Sequence, residues 1–393
     1  MNYNFDEIVD RRNTDALKYD FAAKRGRPDG LLPLWVADMD FRTPQCVIDA
    51  LVEKSRHGIF GYTESREDFD RVLEDWFLSR FQWKMQSEWN IQTVGVVFSI
   101  CSAIRVLSEP GDGVLIQQPV YYPFPEAIAE NGRRVVVNRL VYENGTYKID
   151  FDDFEQKIRE EGVKIFILCS PHNPVGRVWT REELERMGGI CMRYDVNVIS
   201  DEIHADIVMP GHKHLVFAGL KPEFENITVT CTAPSKSFNL PGLQLANTFV
   251  ANPEMRAAIR KDVNRVGYSQ INVMGLVACR AAYAHGAQWL DALNAYLAEN
   301  LAFVRDFLWR ELPEIKLVEP QGTYLLWLDC SALGLSQTQL NTLIVNKARL
   351  WLDSGRMFGE GGEGFQRVNM ACPRPLLEQA LSQLRDALRE SIL

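Results

Sequence analysis

Short apolar runs alternate with helical spacing along the central part of the chain. Between about residue 90 and residue 250, runs such as VKIFILC and GVLIQQ are each followed by a segment whose apolar residues recur every three or four positions. Runs of this length predict buried strands, and their alternation with helices predicts βαβ units in a mainly parallel sheet. We therefore predict an α/β fold for this region.

One helix of this region also has a clear start signal. TREE at residues 180–183 has the spacing of a capping box, with Thr180 as the N-cap and Glu183 three residues later. The apolar stripe that follows is Leu184, Met187, Cys191 and Tyr194. This helix is expected to return the chain to the next strand of the sheet.

The pattern changes after about residue 285. QWLDALNAYLAENLAFVRDFLWREL predicts one amphipathic helix of about 25 residues, because its leucines recur at spacings of three and four. KLVEPQGTYLLWLDC and FQRVNMAC indicate strands, and LLEQALSQLRDALRESIL indicates a closing helix. We expect a large domain over 46–285 and a smaller α+β domain formed by 1–45 together with 286–393, because the first 45 residues have too little apolar periodicity to fold alone.

The composition of the chain disfavours nucleic-acid-binding, membrane-bound and metal-binding proteins. With 43 basic and 52 acidic residues, the chain has a net charge of −9, which disfavours nucleic acid and anionic membranes as partners. We found no apolar window of about 18 residues and no signal peptide, so we expect a cytoplasmic protein. The eight cysteines have no metal-ligand spacing, and we expect free thiols and no metal.

A polar, aromatic or helix-starting segment follows each predicted strand. These segments supply Val96 and Val97 after NIQTV, Tyr121 after GVLIQQ, Asn173 after VKIFILC, Asp201 and His204 after VNVIS, and Lys236 after ENITVTC. Ligands of open α/β sheets bind at the carboxyl ends of the parallel strands. We therefore expect an amine, a carboxylate, an amide, an aromatic ring and a helix N-terminus around one crevice.

Pyridoxal phosphate requires this set of groups. Its aldehyde needs a lysine for a Schiff base, and its pyridine nitrogen needs a carboxylate such as Asp201 in order to stay protonated. Its 3-oxygen needs a donor such as Asn173, and its ring needs a stacking partner. Its phosphate needs helix N–H groups and hydroxyls such as that of Ser235.

The order NPVG, SDEIHAD and SKSFNLPGL resembles the class I/II aminotransferases, which are fold type I of the pyridoxal phosphate enzymes. The N-terminal FDEIVDRRNTDALKYD, the WVADMDF segment and the FGYTES segment are similar to the MalY/PatB-type cystathionine β-lyases, or C–S lyases. The resemblance covers essentially the whole chain. It implies a large domain with a mainly parallel, seven-stranded sheet, a smaller α+β domain, and pyridoxal phosphate as the cofactor.

Site residues follow from this resemblance, position by position. It implies catalytic roles for Lys236 and Tyr121, and a homodimer in which Tyr62 reaches the phosphate in the neighbouring subunit. The remaining implied contacts to the cofactor are Asp201, Asn173, His204, Val96, Val97, Ser235 and, more weakly, Thr232. Those implied for the substrate are Arg367, which would bind the α-carboxylate, Asn173 and Ala37.

Two departures from the aminotransferase pattern favour a lyase. Gln244 stands where aminotransferases usually have an arginine for the phosphate, and His204 stands where many have a tyrosine. We expect α,β-elimination from cystathionine or a related cysteine S-conjugate, giving a thiol, pyruvate and ammonia. An aminotransferase is the alternative. A third hypothesis is a regulator that senses the cofactor. Such proteins carry a DNA-binding winged helix before the aminotransferase-like domain, whereas only about 30 residues precede WVADMDF here.

Six of the predicted site residues also have an ordinary structural explanation. Taken alone, Lys236 could be an ordinary surface lysine, and Asp201 could be a helix N-cap. His204 could be a hydrogen-bonded core residue, and Arg367 could pair with a surface carboxylate. Tyr121 and Tyr62 could be packing aromatics. The glycine-rich GEGGEG at 359–364 lacks the Lys-Ser/Thr ending of a phosphate loop, so we predict a turn before a strand.

Overall fold

The central region forms a large sheet, and the C-terminal region forms a smaller one. The computed structural model describes residues 3–268 and 270–392. The strands there are β1 (Leu32–Pro33), β2 (Asn90–Thr93), β3 (Gly113–Gln118), β4 (Arg134–Arg139), β5 (Val141–Glu143), β6 (Thr146–Lys148), β7 (Val163–Cys169), β8 (Asn197–Asp201), β9 (Thr228–Thr232), β10 (Ala246–Val250), β11 (Lys316–Val318), β12 (Leu325–Asp329), β13 (Leu350–Trp351), β14 (Asp353–Ser354) and β15 (Phe365–Asn369). The α-helices are α1 (Gln45–His57), α2 (Glu67–Phe81), α3 (Val96–Leu107), α4 (Pro123–Glu130), α5 (Phe151–Glu160), α6 (Arg181–Arg193), α7 (Pro222–Ile227), α8 (Pro234–Ser237), α9 (Pro253–Arg265), α10 (Val273–His285), α11 (Ala287–Glu311), α12 (Gln337–Thr342) and α13 (Arg374–Ile392).

The large sheet has seven strands in the order β2-β10-β9-β8-β7-β3-β4. Strand β10 runs antiparallel to both of its neighbours, and the other neighbouring pairs are parallel. Apolar side chains of α3, α4 and α9 cover one face of the sheet, and those of α5, α6 and α7 cover the other. The mainly parallel α/β architecture is therefore confirmed.

Strand β9, which leads to Lys236, starts later than its sequence predicts. The predicted strand ENITVTC includes Ile227, but this residue is the last one of α7, and β9 begins at Thr228. Proline at the first position of α7 favours a helix start, and Phe224 stacks on Phe217 with ring centroids 5.0 Å apart. All five residues of β9 are buried, because helices cover both faces of this sheet.

The predicted signals for helices and turns agree with the structure. Thr180 accepts a hydrogen bond from the N–H of Glu183, whose side chain in turn accepts one from the N–H of Thr180. The long helix α11 has the expected 25 residues and packs its leucines into the core. GEGGEG lies in turns directly before β15.

The smaller sheet has the order β11-β12-β15-β14, and its pairs are antiparallel. The N-terminal segment is bonded to this sheet through β15, where the Asn369 side chain donates to the carbonyls of Val36 and Asp38, at 2.7 and 2.6 Å. Strand β1 also forms a separate two-stranded pair with β13. The division into 46–285 and 1–45 with 286–393 stays a prediction, which the separation of the two sheets supports. Within the described residues, no helix is long and apolar enough to cross a membrane.

Candidate active site

A cavity of about 180 Å³ lies at the carboxyl ends of the parallel strands, and we call it the inner cavity. Nine of the residues predicted for the site line it: Ala37, Val96, Val97, Tyr121, Asn173, Asp201, His204, Ser235 and Lys236. Gln244 also lies in its wall. Thr232, Tyr62 and Arg367 are not among its lining residues. Residues far apart in sequence therefore meet where the α/β topology predicts a ligand.

Lys236 lies in the one-turn helix α8, directly after β9. Its Nζ donates a hydrogen bond of 2.8 Å to the carbonyl oxygen of Ala37. Burial lowers the pKa of Lys236 to about 8, although the nearby Asp38 carboxylate opposes this shift. Lys236 is thus not a surface lysine, and its amine can lose its proton near neutral pH.

Asp201 is the last residue of β8 and is almost fully buried. Its Oδ1 accepts a hydrogen bond of 3.1 Å from the N–H of Ile203. Burial raises the pKa of Asp201 to about 7, because the ionised form is poorly solvated there. The segment after it is a turn, so Asp201 does not cap a helix.

His204 and Tyr121 form other parts of the inner cavity wall. His204 is buried, and its Nδ1 has no hydrogen-bond partner. Burial and the positive charges of Lys236 and Arg367 lower the pKa of His204 well below its usual value, so the ring is neutral. The Tyr121 ring packs edge-on against Phe124, with centroids 5.8 Å apart. Both rings are held by packing while they also face the cavity.

Arg367 lies on β15 and is buried behind Asn173. Its Nη1 donates to Asn173 Oδ1 at 3.0 Å, and its Nη2 donates to the carbonyl of Trp35 at 2.9 Å and to Asp353. The Nε is buried without a hydrogen-bond partner. The carboxylate partner of Arg367 is therefore a buried one on the neighbouring strand β14, not a surface acid, and the Nε is left without a protein partner.

The helix N-terminus predicted for the phosphate is α3. It starts at Val96 after Gly95, and no side chain caps its first turn. Its N–H groups lie beside Ser235 in the wall of the inner cavity, where an anion would be stabilised. Thr232 instead ends β9, and its hydroxyl donates to the carbonyl of Asn247 at 3.3 Å.

Tyr62 does not reach the inner cavity of its own chain. Its side chain is 95% exposed, and Ile59 and Phe60 beside it are exposed as well. The three residues form an exposed apolar patch in the segment before α2. Tyr62 is therefore not packed in the core.

Several residues that support the site were not predicted from the sequence. Tyr324 donates to the Ala37 carbonyl at 2.9 Å, next to Lys236 Nζ. Asp206 accepts from the Ser237 hydroxyl at 2.6 Å and so holds the turn that carries Lys236. Asp206 could have been noticed as the second aspartate of SDEIHAD, but no local pattern marks Tyr324 or Asp353.

These groups fit pyridoxal phosphate. The lysine and the acid face one cavity, and the contact to the Asp201 side chain is a neutral N–H, so a protonated ring nitrogen would supply the cation that this buried carboxylate lacks. The uncapped start of α3 would supply donors for the phosphate.

Comparisons with known proteins identify the family of this chain. The sequence model of the family "Aminotransferase class I and II" matches residues 30–384. The chain is 41% identical to cystathionine beta-lyase PatB of Bacillus subtilis over 98% of this chain and 100% of that one. It is 36% identical to protein MalY of Escherichia coli over 98% of this chain and 99% of that one. The crystal structure of cystalysin from Treponema denticola, which contains pyridoxal 5'-phosphate, superposes with a TM-score of 0.96 at 36% identity over the whole of both chains. The chain therefore belongs to the pyridoxal-phosphate-dependent family of class I and II aminotransferases.

Proposed function

We propose that this protein is a pyridoxal-phosphate-dependent C–S β-lyase that acts on cystathionine or related cysteine S-conjugates. The observation that carries the proposal is the meeting of Lys236 and Asp201 in one buried cavity, in a chain that matches PatB over its full length. When bound, pyridoxal phosphate supplies an aldehyde that bonds to amines and a ring that accepts electrons from the substrate's α-carbon. The protein must then position the substrate and move its protons.

Lys236 is the residue that we propose as the general base. With pyridoxal phosphate and substrate bound, the free amine of Lys236 would take the proton from the substrate's α-carbon. Burial already lowers the pKa of Lys236 to about 8, so a useful fraction of the amine is unprotonated near neutral pH. The Ala37 carbonyl, 2.8 Å from Nζ, limits where this amine can point.

Asn173 and Arg367 would orient the substrate. The guanidinium of Arg367 is held by Asn173, Trp35 and Asp353, and its free Nε remains for the substrate's α-carboxylate. Asn173 would use its Nδ2 for the cofactor's 3-oxygen, because its Oδ1 already accepts from Arg367. Asp201 would keep the cofactor's ring nitrogen protonated.

Elimination then breaks the bond between the β-carbon and sulfur. The sulfur leaves with the bonding electron pair as a thiolate, which is a stable anion because thiols have a pKa of about 8.5. Addition of water to the remaining three-carbon fragment gives pyruvate and ammonia. The alternative is an aminotransferase, which shares the removal of the α-proton but returns a proton to the cofactor. We further propose a cytoplasmic location, which the free cysteines support.

The stoichiometry of the reaction separates these two activities. We expect purified protein to convert L-cystathionine to homocysteine, pyruvate and ammonia in equal amounts over many turnovers without a keto acid, because elimination leaves the cofactor unchanged. The thiol and pyruvate should be measured with and without added α-keto acid. If the reaction stops after about one equivalent per site and resumes only when a keto acid is added, the protein is an aminotransferase.

We propose that the active form is a homodimer in which Tyr62 completes the neighbouring subunit's site. Tyr62 and Phe60 are 95% and 58% exposed, and Tyr62 is outside the inner cavity of its own chain. An exposed patch of apolar and aromatic residues favours a protein interface. A second copy of the chain would bury it and bring a tyrosine hydroxyl to the phosphate side of the cavity.

Mixed dimers test this assembly. Lys236→Ala chains mixed with Tyr62→Phe chains are expected to regain activity, because one of the two hybrid sites then combines an intact Lys236 with an intact Tyr62. Activity should be measured on hybrids purified with two different tags. Lys236→Ala mixed with Asn173→Ala is the control, since both residues lie in the same chain's cavity and neither hybrid site is intact. Verified hybrids that show no rescue would mean that Tyr62 does not act across a subunit boundary.

A further inference from the structure

A second cavity, of about 590 Å³, lies next to the inner cavity, and we call it the outer cavity. The two cavities share Ala37, Lys236 and Pro241 as lining residues. The outer cavity is more than three times the volume of the inner one and lies in the range of small-molecule sites. The reacting amine therefore stands between the place for the cofactor and a second, larger space.

The wall of the outer cavity carries charges of both signs. Arg11 donates to Asp38 at 2.6 Å and to Asp40 at 2.8 Å. Lys18, which is buried behind this wall, donates to Asp40 at 2.7 Å. The two cations balance the two carboxylates, so the wall is strongly polar without a large net charge.

Two of these groups keep capacity for a ligand. Asp38 Oδ1 is buried and accepts no hydrogen bond, although Lys18 Nζ lies 3.7 Å away. The Arg11 side chain is 21% exposed. An ammonium at Asp38 and a carboxylate at Arg11 would each find a group of opposite charge, whereas an uncharged alkyl group would add no such pairing to the existing bond between Arg11 and Asp38.

We infer that the outer cavity binds the part of the substrate attached to sulfur, and that Arg11 and Asp38 select a zwitterionic amino-acid group at its far end. This inference rests on the proposed lyase function. The carbon–sulfur bond that breaks must lie close to Lys236, and the outer cavity begins at that residue. A substrate such as cystathionine, with a second amino-acid group beyond sulfur, would fill it, whereas S-methyl-L-cysteine would not enter it.

Partial filling of the outer cavity provides the test. Leu17 lines this cavity and is 45% exposed, and Leu78 on α2 is 46% exposed and does not line it. We expect Leu17→Trp to lower kcat/KM for L-cystathionine about tenfold or more, chiefly through KM, because the indole takes space from the distal group. Turnover of S-methyl-L-cysteine should change less than about twofold. Leu78→Trp should leave both substrates unchanged.

Two further measurements address the charge and the location of the distal group. S-butyl-L-cysteine, which has a long uncharged substituent, should have a lower kcat/KM than L-cystathionine by about tenfold or more. A crystal structure of cofactor-loaded Lys236→Ala with L-cystathionine should place the distal ammonium at Asp38 and the distal carboxylate at Arg11.

The outcomes separate this inference from the proposed function. Turnover of the S-conjugates with equal losses for L-cystathionine and S-methyl-L-cysteine in Leu17→Trp would overturn the cavity assignment alone. A distal group found outside the outer cavity, or S-butyl-L-cysteine turned over as well as L-cystathionine, would also overturn it. Failure of the unmodified protein to cleave any S-conjugate would overturn the proposed function, and the inference with it.

Discussion

Lys236→Ala is expected to lower turnover about ten-thousandfold or more, because the variant loses both the amine that binds the cofactor and the base that moves the α-proton. After borohydride reduction, mass spectrometry of the unmodified holoenzyme should find the cofactor's mass on the peptide that contains Lys236. No peptide of the Lys236→Ala variant should carry the cofactor's mass. Activity near that of the unmodified protein would remove Lys236 from the mechanism.

Two controls distinguish lost chemistry from lost structure. The peptide that contains Lys18 should stay unlabelled, although this lysine is also buried, because its amine is held by Asp40 at 2.7 Å and faces no cofactor. Added methylamine should restore part of the turnover of Lys236→Ala, since a small free amine can enter the space that the side chain left. A variant that had merely unfolded would not respond to the amine.

Asp201→Asn is expected to lower kcat about a thousandfold or more while the cofactor still bonds to Lys236. A neutral amide cannot keep the ring nitrogen protonated, so negative charge that develops at the substrate's α-carbon loses about 4 kcal/mol of stabilisation. The measurement is single-turnover kinetics together with the borohydride labelling described above. A loss below about tenfold would mean that Asp201 serves mainly to organise the turn at Ile203.

Asp201→Asn should stabilise the cofactor-free protein, although it lowers the activity of the cofactor-loaded enzyme. Burial raises the pKa of Asp201 to about 7, so the unfolded chain loses this proton at lower pH than the folded chain does. The ionised acid therefore destabilises the fold increasingly as pH rises from about 4 to about 7, and fully above that. Asp201→Asn should raise Tm at about pH 8, by the equivalent of about 1 to 4 kcal/mol, and less at about pH 5.

Asp262→Asn is the matched control for this stability effect. Asp262 is also buried, but Arg105 donates to it at 2.6 Å and Ser102 at 2.8 Å. Burial alone would raise the pKa of Asp262, yet these bonds hold it below its usual value. Its substitution should lower Tm at about pH 8. A lower Tm for Asp201→Asn as well would show that the Asp201 carboxylate is stabilised in the empty site.

The central site could be predicted because its residues follow strand ends. In a parallel sheet the strands end on one side, so Asn173, Asp201 and Lys236 had to lie near one another once their strands were recognised. Their long apolar runs made this recognition possible. The start of β9 was missed because Ile227 fits a strand pattern locally, whereas the helix that contains it depends on the packing of Phe224 against another segment.

The supporting residues could not be predicted in the same way. The contact between Arg367 and Asp353 depends on the register of β14 and β15, which pair through these two residues. The Trp35 carbonyl that Arg367 also contacts is a backbone group, and every residue has one. The likeness of segments to a family identified Arg367 and Tyr62, but neither is among the residues that line the inner cavity.

The hydrogen bonds from Asn369 to the N-terminal segment can form only late in biosynthesis. Residues 36 and 38 are held by a side chain that is made more than 300 residues later, and Arg367 reaches back to Trp35 over 332 positions. On the ribosome, the wall that contains Ala37 therefore lacks the bonds from Arg367 and Asn369 until the last strand of the smaller sheet has emerged. The complete wall can therefore form only after nearly the whole chain has been made, and a truncated product that ends before β15 would lack these bonds.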